Sequence, residues 1–244
     1  MKKTSKIVAV VLAALLVVAA VVVLSACDGG EKASYGLVHN QGYVCKATVK
    51  LARGKVVDAS LDEACFPTEV KAAAEDGEFT VVNGSNIFWK TVKWDKVTAV
   101  YDATDGYKVG EKTLKEHFGS EANCKAYFEA VAANKVTVVT SEGNKTDIMN
   151  AASLLKTKNG YWSDGKIRDG QIGWKANVEA TVNYVKEYGF DGFGANMKKE
   201  DLKRDSGVEG NLSDQVVDSN GVKTGATWTD FLDYFYLLKA ASEK

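Results

Sequence analysis

The sequence has little proline and little histidine. Pro67 is the only proline among 244 residues, and His39 and His117 are the only histidines. A single proline excludes a proline-rich linker, so the part of the chain after its first segment is predicted to fold as one continuous unit. Neither histidine has a partner at metal-ligand spacing, and both are interpreted as surface or packing residues. The sequence also lacks a Walker, Ser/His/Asp or paired metal-ligand motif, and it has no basic stripe that would indicate a nucleic-acid partner.

The first 26 residues have the pattern of an export signal. Three lysines precede an uninterrupted apolar run over residues 7–24, and small residues then lead into Cys27 in the segment Leu24-Ser25-Ala26-Cys27. The run is long enough to cross a bilayer, so a permanent transmembrane anchor is the alternative to cleavage. A cysteine directly after Leu-Ser-Ala favours a lipobox. Residues 1–26 would then be removed, and Cys27 would carry acyl chains such as palmitate at the outer face of the cell membrane.

After cleavage the chain is mildly acidic. Residues 27–34 are interpreted as the lipidated cysteine and a polar tether, and residues 35–244 as the folded unit. Without the lysines of the signal, 28 basic and 32 acidic residues remain, for a net charge of −4. Export places Cys45, Cys65 and Cys124 where disulfides can persist, and because three is an odd number at most one internal pair can form.

Alternating apolar residues predict a β-hairpin over residues 42–61. A three-residue loop at 52–54 would place its glycine where such loops require a left-handed residue, and it would pair Cys45 with Leu61. In that register Cys65 lies just beyond the strand that faces Cys45. A Cys45–Cys65 disulfide and free buried thiols are therefore equal alternatives.

Hydrophobic periodicity predicts an α+β fold, because strands and helices do not alternate regularly along the chain. Short strands are predicted to pack with several helices, and the last predicted element is an amphipathic C-terminal helix. The predicted strands cover 79–82, 88–94, 97–101 and 136–140, with turns at 83–84 and 95–96. The predicted helices cover 120–133, 147–155, 174–188 and a final segment from Thr227 or just after it, and the predicted loops cover 159–173 and 201–220.

The segment Thr224-Gly225-Ala226-Thr227 is predicted to be a small turn that leads straight into the final helix. The first N–H groups of a helix lack intrahelical acceptors, and the helix dipole favours negative charge there. Gly225 and Ala226 would let a ligand approach the main chain, and Thr224, Thr227 and Thr229 offer hydroxyls at the same end. The arrangement suits a phosphate. The alternative is that Thr227 or Thr229 only caps the helix, as threonine commonly does.

This segment resembles the S/T-G-A-T motif of the FMN-binding domain family. The family includes the flavin subunits of the sodium-translocating quinone reductase and Rnf complexes, and flavin-carrying lipoproteins of extracellular electron transfer. In such proteins a flavin transferase links FMN, through its phosphate, to the last threonine of the motif, which corresponds to Thr227 here. The hairpin is similar to the opening strands of the family, and Glu63 and Pro67 resemble its Glu-Thr-Pro-Gly turn with a different spacing.

The resemblance covers the two ends of the folded unit, 35–67 and 192–241, and leaves the middle, about 70–188, unmatched. One position departs from the motif, because Gly221 stands where the family usually has an aspartate, and the nearest acid, Asp218, comes three residues earlier. The cofactor-binding residues that the resemblance implies are Thr227, Thr224, Gly225, Ala226, Asp218 and Glu63.

The resemblance implies a membrane-anchored extracytoplasmic flavoprotein that carries FMN covalently on Thr227 and works in electron transfer. Such a protein is more an electron carrier than an enzyme with its own substrate. The implied partners are the membrane, a flavin transferase and a membrane dehydrogenase or other redox protein. The flavin ring would lie over residues 189–194 or near Glu63, and tryptophans could stack on it, although core packing is their commoner role. The alternative is a binding or interaction lipoprotein without covalent flavin.

Overall fold

The computed structural model describes residues 30–39, 42–67, 89–102, 104–140, 145–146, 154–158, 172–205 and 214–244. The export signal, Cys27, the predicted strand and turn over 79–84, and most of the predicted loop 159–173 lie outside these residues. Within the described part, no helix is long and apolar enough to cross a membrane. Antiparallel sheets combine with helices that follow no regular β-α-β order, which confirms the α+β class.

The described elements begin inside the predicted tether, because the first strand starts at Lys32. The strands are β1 (Lys32–Val38), β2 (Tyr43–Ala52), β3 (Lys55–Cys65), β4 (Trp89–Trp94), β5 (Val97–Asp102), β6 (Gly106–Val109), β7 (Lys112–Thr113), β8 (Val136–Thr140), β9 (Lys145–Thr146), β10 (Lys203–Asp205) and β11 (Gln215–Val217). The α-helices are α1 (Leu114–His117), α2 (Glu121–Ala132), α3 (Trp174–Tyr188) and α4 (Phe231–Ser242).

Strands β1, β2 and β3 form an antiparallel sheet in that order, and its β2–β3 hairpin differs from the predicted one. The turn has two residues, Arg53 and Gly54, with φ of 52° and 73°, because a two-residue turn with both φ positive matches the twist of the strands. An irregularity at Lys50 shifts the register, and Cys45 pairs with Glu63 instead of Leu61. The predicted register is wrong by two residues. A two-residue shift keeps each side chain on its face, so Glu63 falls on an apolar face.

The three-stranded sheet is covered by a hydrophobic core on each face. The first core lies against α2 and a second, six-stranded sheet with the order β7-β6-β5-β4-β8-β9. The second core lies against α3 and α4. The main side chains of the first core are Val44, Phe66, Trp94, Phe118, Tyr127 and Val131, and those of the second are Val49, Leu61, Tyr184, Phe231, Phe235 and Leu238.

Helix α3 has the bounds that the apolar periodicity predicts, Trp174–Tyr188, and it ends at Gly189, whose φ of 72° terminates the helix. The predicted helices and strands at 120–133, 88–94, 97–101 and 136–140 are also present, with ends shifted by a residue at most. The turn between β4 and β5 is confirmed as well, with Asp95 at φ 46°.

Two predictions about the second half of the chain are wrong. The predicted loop 201–220 contains the antiparallel pair β10–β11, because Val216 is buried in the second core and carries its neighbours into the sheet. Residues 147–153 of the predicted helix over 147–155 lie outside the described residues, and the prediction is wrong at its end, because Leu155 forms an antiparallel bridge with Ala64 of β3.

The last helix begins later than predicted. Helix α4 starts at Phe231, after an N-cap residue at Asp230, so the expectation of a start at or just after Thr227 is wrong. The indole of Trp228 stacks on the ring of Tyr234, with the centroids 3.9 Å apart and the planes within 4°. That stacking folds residues 228–230 back over the first turn of α4, so they do not extend the helix toward its N-terminus.

Candidate functional site

The Thr-Gly-Ala-Thr segment runs beside β11 and packs against α3. Its main chain pairs with Val216 through two hydrogen bonds, from the Thr224 N–H to the Val216 carbonyl (2.9 Å) and from the Val216 N–H to the Ala226 carbonyl (2.8 Å). Gly225 has a φ of 75°, and a Cβ there would lie 3.4 Å from the methyl of Ala180. The segment is therefore a tight turn that requires glycine for its backbone conformation.

Thr224 and Ala226 shape this turn. The Thr224 hydroxyl donates to the Val216 carbonyl at 2.9 Å and accepts the Ala226 N–H at 3.1 Å, and both residues are buried. The amide oxygen of Gln215 accepts the N–H of Gly225 at 3.1 Å. The Thr224 hydroxyl thus acts as donor and as acceptor within the turn, which gives this residue a structural role.

Thr227 lies against helix α3 and not at the N-terminus of α4. The side-chain oxygen Oδ1 of Asn177 accepts the Thr227 N–H (2.7 Å), the Thr227 hydroxyl (3.3 Å) and the Trp228 N–H (3.2 Å). Asn177 therefore supplies the acceptor for these main-chain N–H groups, in place of the threonine N-cap that the sequence offers as an alternative. In the described part of the chain no carboxylate or imidazole contacts the Thr227 hydroxyl, so none of the described residues is placed as a base that would activate it.

Asp218 stabilises the turn that precedes the motif. Its carboxylate accepts the N–H groups of Asn220 and Val222, both at 2.8 Å, and the hydroxyl of Tyr184 at 2.6 Å. Gly221, which replaces the aspartate of the family motif, has a φ of 83° in this turn. Asp218 is buried by these contacts, and burial together with the neighbouring carboxylate raises the pKa of Tyr184. Both groups are therefore committed to structure.

Glu63 is completely buried and lies at the centre of a polar cluster on the face of the second core. Its Oε1 accepts the indole N–H of Trp174 and the hydroxyl of Tyr234, each at 2.5 Å. Its Oε2 lies 2.7 Å from the ammonium of Lys156 and 3.5 Å from Nε2 of His39. Burial acts to raise the pKa of the Glu63 carboxyl, but Lys156 and His39 outweigh it and lower this pKa to about 2.

Lys156 reaches Glu63 from a short segment that covers the outer edge of β3. The Lys156 N–H donates to the Glu63 carbonyl at 2.9 Å, and the Thr157 hydroxyl donates to the carboxylate of Asp62 at 2.7 Å. The buried ammonium lies 5.4 Å from the ring centroids of both Tyr43 and Trp174. Two aromatic faces and a carboxylate thus surround this cation.

His39 connects the buried cluster to the surface. Its Nδ1–H donates to Asp230 at 2.6 Å, and its Nε2 lies 2.6 Å from the hydroxyl oxygen of Tyr234. Burial acts to lower the pKa of His39, but the hydrogen bonds to Asp230 and Glu63 outweigh it and raise this pKa to about 9. Because the hydroxyl of Tyr234 donates to Glu63, a protonated His39 donates from both ring nitrogens. His39 also lowers the pKa of Asp230, which pairs with Lys199 as well.

Helix α3 joins this cluster to the motif. Trp174, which binds Glu63, and Asn177, which binds Thr227, lie three residues apart and so on the same face of the helix. On the other side, Trp228 follows Thr227 directly and stacks on Tyr234, the second hydrogen-bond donor to Glu63. The two predicted parts of the site therefore form one connected constellation.

The other position considered for the ring, residues 189–194, follows the C-terminal end of α3, and within it the Gly192 carbonyl accepts the N–H of Ser219, beside Asp218, at 2.9 Å. A cleft of about 470 Å³ opens there between the β2–β3 turn and the helix end, lined in part by Lys55, Lys186, Tyr188 and Phe190. Gly189 follows Asn177 by twelve residues, which is about 18 Å along the helix axis. The cleft is thus separate from the motif.

Sequence reasoning missed His39, Lys156 and Asn177 as members of the site, and also Arg204, whose guanidinium donates to the carbonyls of Thr227 and Trp228. His39 and Asp230 are 191 residues apart in the chain, and Thr227 and Asn177 are 50 apart, so no local spacing could indicate either pair. Of the two alternatives for the cysteines, the structure has the free thiols, because Cys45, Cys65 and Cys124 form no disulfide among the described residues. No group of three or more metal-ligating side chains occurs among the described residues.

Comparison with known proteins identified no relative, since no family model, curated protein or solved structure matches the chain.

Proposed function

We propose that this chain is a lipid-anchored extracytoplasmic flavoprotein that carries FMN on Thr227 and acts in electron transfer. One observation carries the proposal: the two ends of the chain that resemble the FMN-binding domain family meet at one constellation in the fold. Glu63, from the first end, and Thr227, from the second, are bound to residues one turn apart on helix α3. The anchor itself is inferred from the segment that ends in Cys27.

The side chains around Thr227 fit a flavin nucleotide. The indole Nε1–H of Trp228 is buried and has no hydrogen-bond partner in the described part of the chain, although a buried donor without a partner is costly. This donor belongs to the residue directly after Thr227, in a ring that already stacks on Tyr234. A ligand beside Thr227 would supply the missing acceptor.

Attachment would convert the hydroxyl of Thr227 into a phosphoester. The hydroxyl oxygen would form a bond with the phosphorus of an activated flavin nucleotide, a phosphoanhydride. The proton of the hydroxyl and the second half of the anhydride would leave. Because Asn177 offers only a neutral acceptor to the Thr227 hydroxyl, the base for this step must come from the flavin transferase. This chain supplies the nucleophilic oxygen and its position.

Once attached, a flavin supplies reversible electron-transfer chemistry, and the protein positions it and adjusts its potential. Asn177 fixes the main chain of Thr227 and Trp228, and thereby the direction in which the tether leaves the protein. The charges of Glu63, Lys156 and His39 lie in one fixed arrangement at the edge of the second core. A membrane dehydrogenase would deliver electrons, and a redox partner outside the membrane would accept them.

The test is co-expression with an active flavin transferase. The wild-type protein is expected to stay yellow after denaturation, and its peptide containing Thr227 should gain the mass of FMN less one water. Thr227→Ala should abolish the label, while Thr227→Ser should keep it because serine retains the nucleophilic oxygen. Thr224→Ala is expected only to weaken labelling, since its hydroxyl stabilises the turn.

Thr229→Ala is the matched control, because Thr229 is an exposed threonine two residues further on whose hydroxyl contacts only Asp230. It should label as fully as the wild type. A colourless wild-type protein made beside an active transferase would show that covalent attachment is wrong. Gly221→Asp, which restores the aspartate usual in the family motif, would then be the first substitution to make. If free FMN also failed to bind, the flavin proposal would fall.

The second candidate function is a binding lipoprotein without covalent flavin. The cleft at the end of α3 favours it, because about 470 Å³ is within the range of small-molecule sites. Aromatic and charged side chains line it together. Substituting Tyr188 and Phe190 by alanine would remove a ligand from this cleft and leave labelling of Thr227 intact, which separates the two functions.

A further inference from the structure

The guanidinium of Arg204 reaches from β10 to the main chain of the motif. Its Nη1 donates to the carbonyls of Asp214 (3.0 Å) and Thr227 (3.3 Å), and its Nη2 donates to the carbonyl of Trp228 (3.1 Å). The side chain is exposed, but these three bonds hold its charged end in place. A positive group is therefore fixed against the residue that offers the nucleophilic hydroxyl.

No carboxylate neutralises Arg204 among the described residues. A guanidinium has five N–H donors, and three are used by carbonyl oxygens, so two remain for another acceptor. Three lysines around the second core differ in this respect, because they pair with carboxylates: Lys156 with Glu63, Lys199 with Asp230, and Lys223 with Asp205. Among the described residues, Arg204 is thus a cation that is held in place, keeps unused donors and has no paired anion.

We propose that Arg204 binds the phosphate of FMN beside Thr227 and makes the site selective for flavin phosphate esters over riboflavin. The inference rests on the proposed function, since it assigns the phosphate partner at the same site. A planar guanidinium matches two phosphate oxygens, and hydrogen bonds between charged groups are about twice as strong as neutral ones. Arg204 would hold the phosphate before attachment and balance its charge afterwards.

The test measures reversible binding to the full-length protein produced without a transferase, so that Thr227 is unmodified. FMN and riboflavin are titrated separately, and binding is followed by flavin fluorescence. FMN is expected to bind at least ~10-fold more tightly than riboflavin, which corresponds to one charge-assisted contact. Arg204→Gln should weaken FMN binding by ~10-fold and leave riboflavin binding unchanged. Arg204→Lys should fall between them, because lysine keeps the charge and loses the planar fork.

Lys203→Gln is the matched control. Lys203 is the neighbouring residue on β10, also exposed, and because side chains alternate along a strand it projects from the opposite face. The Lys203→Gln substitution removes the same charge and leaves the contacts of the motif unchanged. Equal weakening of FMN binding by both variants would indicate a general charge effect and overturn the assignment. So would Arg204→Gln if it weakened FMN and riboflavin alike, because the role would then be structural.

The assignment and the function on which it rests fail in different ways. If co-expression with a transferase labels Thr227 but the unmodified protein binds FMN and riboflavin equally, the role of Arg204 is wrong and the flavoprotein function stands. If the protein is neither labelled nor able to bind either flavin, both are wrong.

Discussion

The two faces of the three-stranded sheet carry cores of opposite character. The first core is closed by rings, with Trp94 in edge or stacked contact with Phe66, Phe118 and Tyr127. The second core also contains packed rings around Phe231, but the buried charges of the Glu63 cluster lie at its edge. Buried charges contribute little to stability against an apolar alternative, so a cluster of them is a candidate for function. The first core therefore serves the stability of the fold, whereas the second core carries the candidate site.

The largest effect is expected from breaking the buried ion pair in the second core. Lys156→Met leaves the carboxylate of Glu63 without its closest cation, and the free energy of unfolding should fall by ~3–5 kcal/mol, as measured by urea denaturation at pH 7. Adding Glu63→Gln removes the charge that was left unpaired and should restore most of the loss. A single variant as stable as the wild type would show that the pair is not buried.

A smaller loss is expected where helix α3 holds the motif. Asn177→Leu removes the acceptor of two buried N–H groups and of the Thr227 hydroxyl, which should cost ~2–3 kcal/mol. Thr181→Val, one turn further along the same helix, removes only a hydroxyl bonded to the Asn177 carbonyl and should cost less than ~1 kcal/mol. Equal losses in thermal denaturation would contradict the special role of Asn177.

The pH dependence of stability should also distinguish the two cores. The pKa of His39 is raised from 6.5 to about 9 in the folded protein, so the folded state binds the proton more tightly than the unfolded state. Its contribution is complete below pH 6.5 and is lost as the pH rises through 9, with a fall of ~3 kcal/mol in unfolding free energy. His39→Gln should remove this slope.

Trp94→Phe in the first core is the control for that measurement, because it lowers stability without a titrating group and should leave the slope unchanged. The three thiols, whose pKa values are raised in the folded protein, add a decline above about pH 8.5 that is common to all variants, since an unfolded thiol titrates there. The difference between wild type and His39→Gln over pH 6.5–8.5 therefore isolates the histidine. Parallel curves over that range would contradict the contact with Asp230.

The smallest effect is expected from the cysteines, which should behave alike in both cores. Burial raises the pKa of Cys124, in the first core, and of Cys65 to about 12, and raises the pKa of Cys45 well above its usual value. A thiol reagent at pH 8 should therefore not react with these three until the protein unfolds, and should then count all three. A count of one would show that two of the three form a disulfide.

Much of the fold could be predicted because its elements are locally encoded. Helix α3 has the predicted bounds because its buried face follows helical spacing and a glycine at positive φ ends it. The start of α4 could not be predicted, because Trp228 leaves the helical path to stack on Tyr234 and Asn177 satisfies the N–H groups that a helix would use. Both contacts depend on the tertiary fold.

The site was predicted only in part, for a related reason. The motif residues are predicted by resemblance, but the pairing of Glu63 with Cys45 follows from a two-residue turn and an irregularity between Lys50 and Leu51, which together shift the hairpin by two residues. Its partner Lys156 comes directly after the segment 147–155, where a helix is predicted, and the sequence alone identifies His39 as a surface or packing residue. A charged or imidazole side chain in a strand or turn usually faces solvent, so burial of this kind has no sequence pattern.

The ends of the described fold lie side by side, with a consequence for orientation at the membrane. The ammonium of Lys244 donates to the carbonyl of Ala33, whereas Asp230, at the other end of α4, binds His39 at the far end of β1. Helix α4 spans about 18 Å between these contacts. If Cys27 is lipidated as proposed, the anchor joins the described fold near Ala33, at the end of α4 remote from Asp230. A flavin on Thr227, three residues before Asp230, would then belong to the opposite end of this helix, and electrons from the membrane would have to travel that distance to reach it.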